Sequence, residues 1–159
     1  MAAHFEDLTQ IGAVEFREMR LIDLPHVMRN ERRSYSHPWN EGIFRDCIKS
    51  GYQCWLLIVA KKVIGHGVLS VAAGESHLLN VCVHPDCHGN GFGRQLTTHL
   101  LECARKLNAE RVFLEVRTSN RAAYQLYDSL GFNEVGVRPG YYPAHIGRED
   151  ALVLAKEFL

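Results

Sequence analysis

Glycine recurs at every second position of a short segment, Gly89–Gly93, and this segment constrains the fold more than any other part of the chain. An apolar run ends just before it, at Val83, and a helical pattern with Leu96 and Leu100 at turn spacing follows it. Glycine allows positive φ angles and lets the backbone come close to a ligand. The sequence therefore predicts a strand, a tight turn and a helix in direct succession.

The start of a helix after such a turn is a suitable site for an anion. The first N–H groups of a helix have no partner within the helix, and the helix dipole favours a negative charge there. Arg94 adds a positive charge beside the turn. A Gly-Lys-Ser/Thr sequence is absent, and the glycine spacing differs from Gly-x-Gly-x-x-Gly, which argues against a Walker loop and a dinucleotide-binding fold. These residues alone fit a pyrophosphate site and a purely geometric turn about equally well.

Apolar periodicity along the rest of the chain predicts an α/β domain with a mixed central sheet of about seven strands and about four helices. Short spacers between three consecutive apolar runs indicate an antiparallel meander. The predicted strands are residues 14–19, 54–60, 63–71, 77–83, 111–116, 133–138 and 149–154, with a loop at Tyr141–Pro143. The predicted helices begin at the N-caps Asp23 and Asn40, at the glycine-rich turn, and at the N-cap Asn120.

Length and charge exclude several classes of protein. The 159 residues fit one domain over 1–159, with an ordered core expected at about 14–156. Equal numbers of basic and acidic residues, 18 each, argue against direct nucleic-acid binding. No apolar run approaches the ~20 residues of a membrane span, so no membrane association is expected. Five scattered cysteines, and a start at Met1–Asp7 without the pattern of a secretory signal, predict reduced thiols and a cytoplasmic protein.

Two residues are candidates for proton transfer. Glu115 lies in a predicted strand that is otherwise apolar, where burial would raise the pKa of its carboxyl towards that of a useful base. The alternative is a structural ion pair with Arg117, two residues along on the same face. Tyr127 lies about two turns beyond Asn120, and it is either a core tyrosine or a proton donor with a phenol pKa near 10.

The sequence also contains a candidate metal site. Four possible zinc ligands fall within seven residues, at Cys82, His84, Cys87 and His88. Pro85 bends the chain between them, and Asp86 is the only acidic residue close by in sequence. We therefore predict that no metal is bound.

The segment from His84 to Arg94 resembles the pyrophosphate motif of the Gcn5-related N-acetyltransferases (GNAT), Gln/Arg-x-x-Gly-x-Gly/Ala. The resemblance continues in the segments Leu114–Asn120, Ala123–Tyr127, Leu130–Phe132, Tyr141–Pro143 and Glu149–Ala151. This set is similar to the ribosomal-protein-alanine N-acetyltransferases of the RimI type, over about residues 14–156. The first motif position departs from the pattern because it is His88, so coenzyme affinity is expected to be weaker or more dependent on pH.

The resemblance implies a GNAT-like acyl-CoA N-acyltransferase fold and an enzyme that uses acetyl-CoA as co-substrate. Glu115 then matches the general base, and Tyr127 matches the acid that protonates the leaving thiolate. A backbone N–H near Val83 would bind the acetyl oxygen. The implied coenzyme-binding residues are Val81, Cys82 and Val83 beside the pantetheine, Gly89, Asn90, Gly91, Phe92, Gly93 and Arg94 at the pyrophosphate, and Asn120.

The acceptor implied by the narrower resemblance is the N-terminal alanine of a small-subunit ribosomal protein. Two loops, Ser36–Trp39 and Tyr141–Tyr142, are expected to surround it. Four carboxylates are candidates either for contacts with a basic peptide or for simple solvated charges: Glu31, Glu75, Glu149 and Asp150. Three alternatives stay open, namely another amine acceptor such as a lysine side chain or a small molecule, a coenzyme-sensing module without turnover, and a metal-binding regulator.

Overall fold

The structure is a computed structural model that describes residues 13–158. Its strands are β1 (Val14–Glu18), β2 (Gln53–Val59), β3 (Lys62–Ala72), β4 (Glu75–Val83), β5 (Arg111–Arg117), β6 (Asn133–Pro143) and β7 (Arg148–Glu157). Its helices are α1 (Leu24–Ser34), α2 (Glu41–Lys49), α3 (Phe92–Lys106) and α4 (Arg121–Ser129), with 3-10 turns at Leu21–Asp23 and Pro85–Cys87. The N-terminal segment, for which no secretory signal is predicted, lies outside the described residues. Between residues 13 and 158, no helix has both the length and the apolar character needed to cross a membrane.

Two of the three predicted helix caps are confirmed. Asn40 Oδ1 accepts a hydrogen bond from Ile43 N at 3.0 Å, and Asn120 Oδ1 accepts one from Ala123 N at 3.2 Å. Asp23 precedes α1 as predicted, but its carboxylate does not cap the helix. It binds the guanidinium of Arg17 at 2.9 Å instead, which ties β1 to the start of α1.

The predicted loop at Tyr141–Pro143 is wrong, because β6 continues through it. Tyr142 lies opposite Glu149, and Pro143 lies opposite Arg148 in β7. The pairing shifts register between Arg138 and Tyr142, as at a β-bulge, and the strand resumes beyond that point. Pairing with β7 thus extends β6 past the residues that looked like a turn.

The sheet has the strand order β1-β2-β3-β4-β5-β7-β6, and every neighbouring pair is antiparallel except β4 and β5. The predicted meander of β2, β3 and β4 and the mixed sheet are therefore confirmed. The parallel pair is short, since it runs only from Glu75–Arg111 to His77–Phe113. Beyond these three residue pairs the two strands part and leave a gap in the middle of the sheet.

Apolar side chains form one cluster on each face of the sheet. On one face, Leu96 and Leu100 of α3 pack in a cluster with Leu57 of β2. On the other face, α1 and α2 pack in a second cluster with Leu56 of β2. Successive residues of a strand point to opposite faces, so β2 contributes to both clusters. The chain therefore has helices on both sides of the sheet.

The contact between α3 and β3 gives a stability prediction. Leu100 is fully buried, and a Cβ added at Gly67 would lie 2.5 Å from Leu100 Cδ1, so the helix packs directly on the strand. Leu100→Ala should lower the free energy of unfolding by about 2–5 kcal/mol, since it leaves a cavity. Urea denaturation measures this loss. Leu107→Ala, at a side chain that is 48% exposed, is the control and should change stability by no more than about 0.5 kcal/mol.

Candidate active site

The gap between β4 and β5 opens into a cavity of about 530 Å³. Side chains from both faces of the sheet reach it, because the gap lies between the two helical layers. Its walls are His77–Val81 of β4, Leu114–Arg117 of β5, Asn120, Ala123 and Tyr127 at α4, the segment from Tyr35 to Trp39 after α1, and Tyr141–Pro143 of β6. The cavity therefore joins Val81, Glu115, Asn120 and Tyr127 to the two loops expected around the acceptor, whereas the glycine-rich turn does not line it.

Backbone groups of Val81 and Val83 face this gap. His84 N donates to Ile64 O at 2.7 Å across the β3–β4 ladder. In an antiparallel pair, the main-chain N–H and C=O groups of every second residue point at the partner strand. Those of His84 point at β3, so those of Val81 and Val83 point away from it. Strand β4 thus directs main-chain groups away from β3, towards the gap, at two of the three positions predicted to lie beside the pantetheine.

Two side chains donate hydrogen bonds to the main-chain carbonyls of β4 that face the gap. Tyr35 Oη donates to Val81 O at 2.5 Å, and His88 Nε2 donates to Val83 O at 2.8 Å. The side chain of Cys82, the third predicted residue, points to the opposite face, where its Sγ lies 3.2 Å from Ser34 Oγ. His88, which departs from the family motif, therefore contacts the strand that the motif follows.

The start of α3 lacks the cap that α2 and α4 possess. Gly91 is its N-cap residue with φ +80°, and no side chain accepts from its first N–H groups. Gly89 also has φ +80°, and a Cβ added at either glycine would meet no heavy atom within 4 Å. Gly93 differs, because its φ is ordinary and a Cβ there would lie 3.6 Å from Leu126. Open space and unpaired N–H groups thus coincide at Gly89 and Gly91.

The other residues predicted at the turn have separate roles in the structure. Asn90 Nδ2 donates to Cys87 O at 3.2 Å and so holds the loop together. Phe92 is buried and anchors the helix in the core. Arg94 Nη2 donates to Ser129 Oγ at 2.6 Å, which leaves the guanidinium beside the first turn of α3.

Glu115 has partners that the sequence did not reveal. Its carboxylate is 8% exposed and contacts His77 Nε2 at 2.5 Å and Arg138 Nε at 3.3 Å. Burial opposes ionisation, but the hydrogen bond and charge of His77 and the charge of Arg138 outweigh it, so the pKa of Glu115 lies below its ordinary value. The prediction that burial raises this pKa is therefore wrong.

Arg117, the expected partner of Glu115, pairs with another carboxylate. Its Nη1 donates to Glu149 Oε1 at 3.1 Å, and its guanidinium lies over the ring of Tyr142. Glu149 also accepts from Ser119 N at 2.8 Å. Hydrogen bonds from Ser119, and then from Arg117 and Thr118, lower the pKa of Glu149 to about 2.

The remaining candidate carboxylates are likewise engaged within the protein. Asp150 accepts from Gly140 N at 2.8 Å, and Glu75 lies 3.7 Å from Arg111. The side chain of Glu75 is 60% exposed, so it remains largely a solvated charge, whereas Asp150 fixes the backbone of β6 at Gly140.

Tyr127 is buried between the cavity and the core. Its ring packs edge to face on Phe132, with the centroids 5.6 Å apart, while its side chain also lines the cavity. Burial raises the pKa of Tyr127 to about 12, so the prediction of an ordinary phenol pKa near 10 is wrong. The hydroxyl keeps its proton at all physiological pH values.

Glu31, a candidate either for contact with a basic peptide or for a simple solvated charge, is a buried residue that lines the cavity. It is 1% exposed, and its carboxylate accepts from His66 Nε2 at 3.0 Å, Trp39 N at 3.0 Å and Asn80 Nδ2 at 3.2 Å. It therefore joins α1 to β3, to β4 and to the segment that follows α1. The run of polar residues around it in the sequence concealed its burial.

The four possible zinc ligands, Cys82, His84, Cys87 and His88, do not form a cluster in the part of the chain that the structure describes. Between residues 13 and 158, the group of three or more possible ligands whose atoms all lie within 4.8 Å of one another is a different set, Glu31, His66 and Cys82. Burial raises the pKa of Cys82 to about 12, so this thiol retains its proton and donates it to Ser34. A thiol binds a metal as the thiolate, which is not the form present here.

Comparisons with known proteins agree with this geometry. A model of the acetyltransferase (GNAT) family matches residues 17–132. The ribosomal protein bS18-alanine N-acetyltransferase of Escherichia coli strain K12 is 39% identical over 137 residues, 86% of this chain and 93% of that protein. The protein of the same name from Haemophilus influenzae is 33% identical over 149 residues, 93% of this chain and 96% of that protein.

A solved structure shows the same fold. The crystal structure of the ribosomal-protein-S18-alanine N-acetyltransferase from Escherichia coli superposes with a TM-score of 0.86 and 36% identity, covering 91% of this chain and 94% of that chain. The predicted GNAT-like fold is thereby confirmed. Since the family model spans most of the chain and the relatives span nearly all of it, this protein belongs to the acetyltransferase (GNAT) family.

Proposed function

We propose that this protein is an acetyl-CoA-dependent N-acetyltransferase that acetylates the α-amine of an N-terminal alanine on a small-subunit ribosomal protein. The identity of 39% over 86% of the chain with a bS18-alanine N-acetyltransferase carries this proposal. A cytoplasmic location is part of it. All five cysteines are buried and free, as in a reducing compartment, which supports that location.

We assign coenzyme binding to β4 and to the start of α3. Main-chain groups of Val81 and Val83 would bind the pantetheine, and the N–H groups after Gly91 would bind the pyrophosphate. Two observations support these assignments: the main-chain groups of Val81 and Val83 point away from β3, and no side chain caps the start of α3. The proposed coenzyme residues remain Val81, Cys82, Val83, Gly89, Asn90, Gly91, Phe92, Gly93, Arg94 and Asn120, and no metal is proposed.

Glu115 and Tyr127 would transfer the protons of the reaction. Glu115 would be the general base that draws a proton from the acceptor ammonium group. The proton can pass through an intervening group or a water molecule. Val83 N–H would donate to the acetyl oxygen as the amine attacks the thioester carbonyl. Tyr127 would then protonate the departing thiolate. The raised pKa of Tyr127 keeps its proton in place until that step.

The acceptor prediction rests on amine acidity. At pH 7 roughly one-tenth of a peptide α-amine is neutral, but less than about one-thousandth of a lysine side chain is. Glu115 is a weak base because its pKa is lowered, so it suits the more acidic amine. We expect acetylation of peptides with an N-terminal alanine in preference to internal lysines, measured by acetyl-CoA turnover with mass spectrometry to locate the acetyl group. Equal rates on an N-terminally blocked peptide that contains lysine would contradict this acceptor.

Coenzyme binding can be tested at Gly91 with a matched control at Gly51. Both glycines have positive φ, +80° and +78°, and a Cβ at either would meet no protein atom within 4 Å. Valine should therefore strain the backbone equally, by about 1–2 kcal/mol. Only Gly91→Val should place a side chain where the pyrophosphate approaches. We expect calorimetric titration to show more than about tenfold weaker acetyl-CoA binding, or about 1.4 kcal/mol, for Gly91→Val alone. Equal affinities for the two variants would refute the site.

Opposite pH responses should separate the two proton-transfer residues. Glu115→Gln keeps the size of the side chain but removes its charge, so the rate should fall about 10²–10⁴-fold. High pH should restore part of it, because the amine then arrives already neutral. Tyr127→Phe should lose a comparable factor without recovery, since solvent offers fewer protons at high pH. The measurement is a pH–rate profile, with acetyl-CoA affinity determined alongside as the control that should stay constant. A near-wild-type rate for Glu115→Gln at neutral pH would exclude Glu115 from the base.

A further inference from the structure

His77 lies at the point where β4 and β5 part. It is the last residue of β4 that pairs with β5, opposite Phe113. Its Nε2 meets Glu115 Oε2 at 2.5 Å, and its side chain is 33% exposed, whereas that of Glu115 is 8% exposed. Both residues line the cavity. The imidazole therefore stands between a buried carboxylate and water.

The second ring nitrogen of His77 is not used by Glu115 and is not among the buried atoms that lack a partner. The buried side-chain atoms without a hydrogen-bond partner in the described part of the chain are His66 Nδ1 and Asn80 Oδ1. His77 Nδ1 is not among them, and the contact with Glu115 uses Nε2. A carboxylate can only accept, so the proton of the neutral imidazole lies on Nε2 and points at Glu115. Nδ1 then carries a lone pair, and it belongs to a side chain that is 33% exposed and lines the cavity.

We propose that His77 is the group that takes the proton from the acceptor amine, and that Glu115 holds and stabilises it. This rests on the proposed N-acetyltransferase function and deepens it. Imidazole is the side chain whose charge change falls nearest neutral pH, which suits a base at that pH. A carboxylate bonded to one ring nitrogen fixes the tautomer and stabilises the imidazolium that forms at the other.

The protons balance in this scheme. The ammonium N–H bond breaks and an Nδ1–H bond forms, directly or through one water, and the electron pair left on nitrogen attacks the thioester carbonyl. The negative charge of Glu115 stabilises the imidazolium, which then releases the proton on Nδ1 to solvent. The second amine proton, released as the tetrahedral intermediate collapses, replaces the one that Tyr127 gives to the thiolate.

The surrounding charges permit an imidazolium at this position. Arg138 of β6 contacts the other oxygen of Glu115, Oε1, and lies over the ring of Tyr141, so its charge is directed at the carboxylate. Glu115 at 2.5 Å is therefore the charge nearest to His77. The other titratable or charged groups along the cavity are Glu31 of α1, Tyr35 and His37 after it, Arg117 of β5, Tyr127 of α4 and Tyr142 of β6.

The test is a pH–rate profile of His77→Gln. A glutamine amide can still donate to Glu115 but cannot take up a proton. We expect kcat/KM for an N-terminal alanine peptide to fall about 10²-fold or more at neutral pH, with the acidic limb of the profile lost or displaced. Acetyl-CoA affinity should not change. His26→Gln, at an exposed residue of α1 outside the cavity, is the matched control and should keep the rate and profile of the wild type.

Non-additivity gives a second readout. If the two residues act as one base, the double variant of His77→Gln and Glu115→Gln should be no slower than the slower single variant. Losses that multiply would show two independent roles and overturn the proposal. A wild-type rate and profile for His77→Gln would overturn it as well, and would leave Glu115 acting through water alone.

The tautomer of His77 can be measured without any variant. Nitrogen NMR of the imidazole in the wild-type protein should show the proton on Nε2 in the neutral form and protonation of Nδ1 as the pH falls. A proton on Nδ1 in the neutral form would refute the proposal even if His77→Gln failed to fold. This measurement needs no acceptor. Absence of wild-type turnover on alanine peptides would therefore count against the proposed acceptor. The tautomer would still test the role of His77.

Discussion

The parting of β4 from β5 after three residue pairs is the constraint on which the rest of the structure depends. A strand that loses its neighbour leaves buried main-chain groups that must find other partners. Tyr35 and His88 supply hydrogen-bond donors to the carbonyls of Val81 and Val83. The same break makes room for the cavity. A ligand that offers its own donors and acceptors can therefore bind here without disturbing the ladder between β3 and β4.

Burial acts on the two proposed proton-transfer groups with opposite outcomes. Tyr127 experiences desolvation with nothing to offset it, so its pKa rises to about 12 and its proton is retained. Glu115 is also desolvated, but His77 and Arg138 overcome that effect and keep its pKa low. The cavity thus holds a protonated phenol and an ionised carboxylate side by side. Burial alone decides the state of Tyr127, whereas neighbouring charges decide that of Glu115.

The features that the sequence predicts well are those whose partners lie close along the chain. Asn40 and Asn120 bond to N–H groups three residues later, and the positive φ of Gly91 is a property of one residue. The features it misses are set by distant pairing. The strand through Tyr142 exists because β7 lies beside it, and the partner of Glu115 comes from 38 residues away. A carboxylate in an apolar strand indicates that a partner is needed, but not which one.

The resemblance to a known family predicts residues that are far apart along the chain but share one site. It does not predict the contacts that set the protonation states of those residues. It pointed to Glu115 and Tyr127 as a pair, and both line one cavity. It could not supply the direction in which the pKa of Glu115 shifts, because this depends on His77 and Arg138, which belong to this chain's own β4 and β6. It also did not reveal that Glu31 is buried.

Glu31 shows how one buried charge can fix the distance between the two sides of the cavity. Its carboxylate accepts from His66 of β3, from Asn80 of β4 and from Trp39 N in the segment after α1. Removing one partner of a buried charge costs more than the bond itself is worth, because the remaining charge is left without compensation. The segment that borders the proposed acceptor side cannot move away from β4, the proposed coenzyme side, without breaking one of these bonds. The distance between the two sides is therefore fixed by the same carboxylate that makes α1 part of the cavity wall.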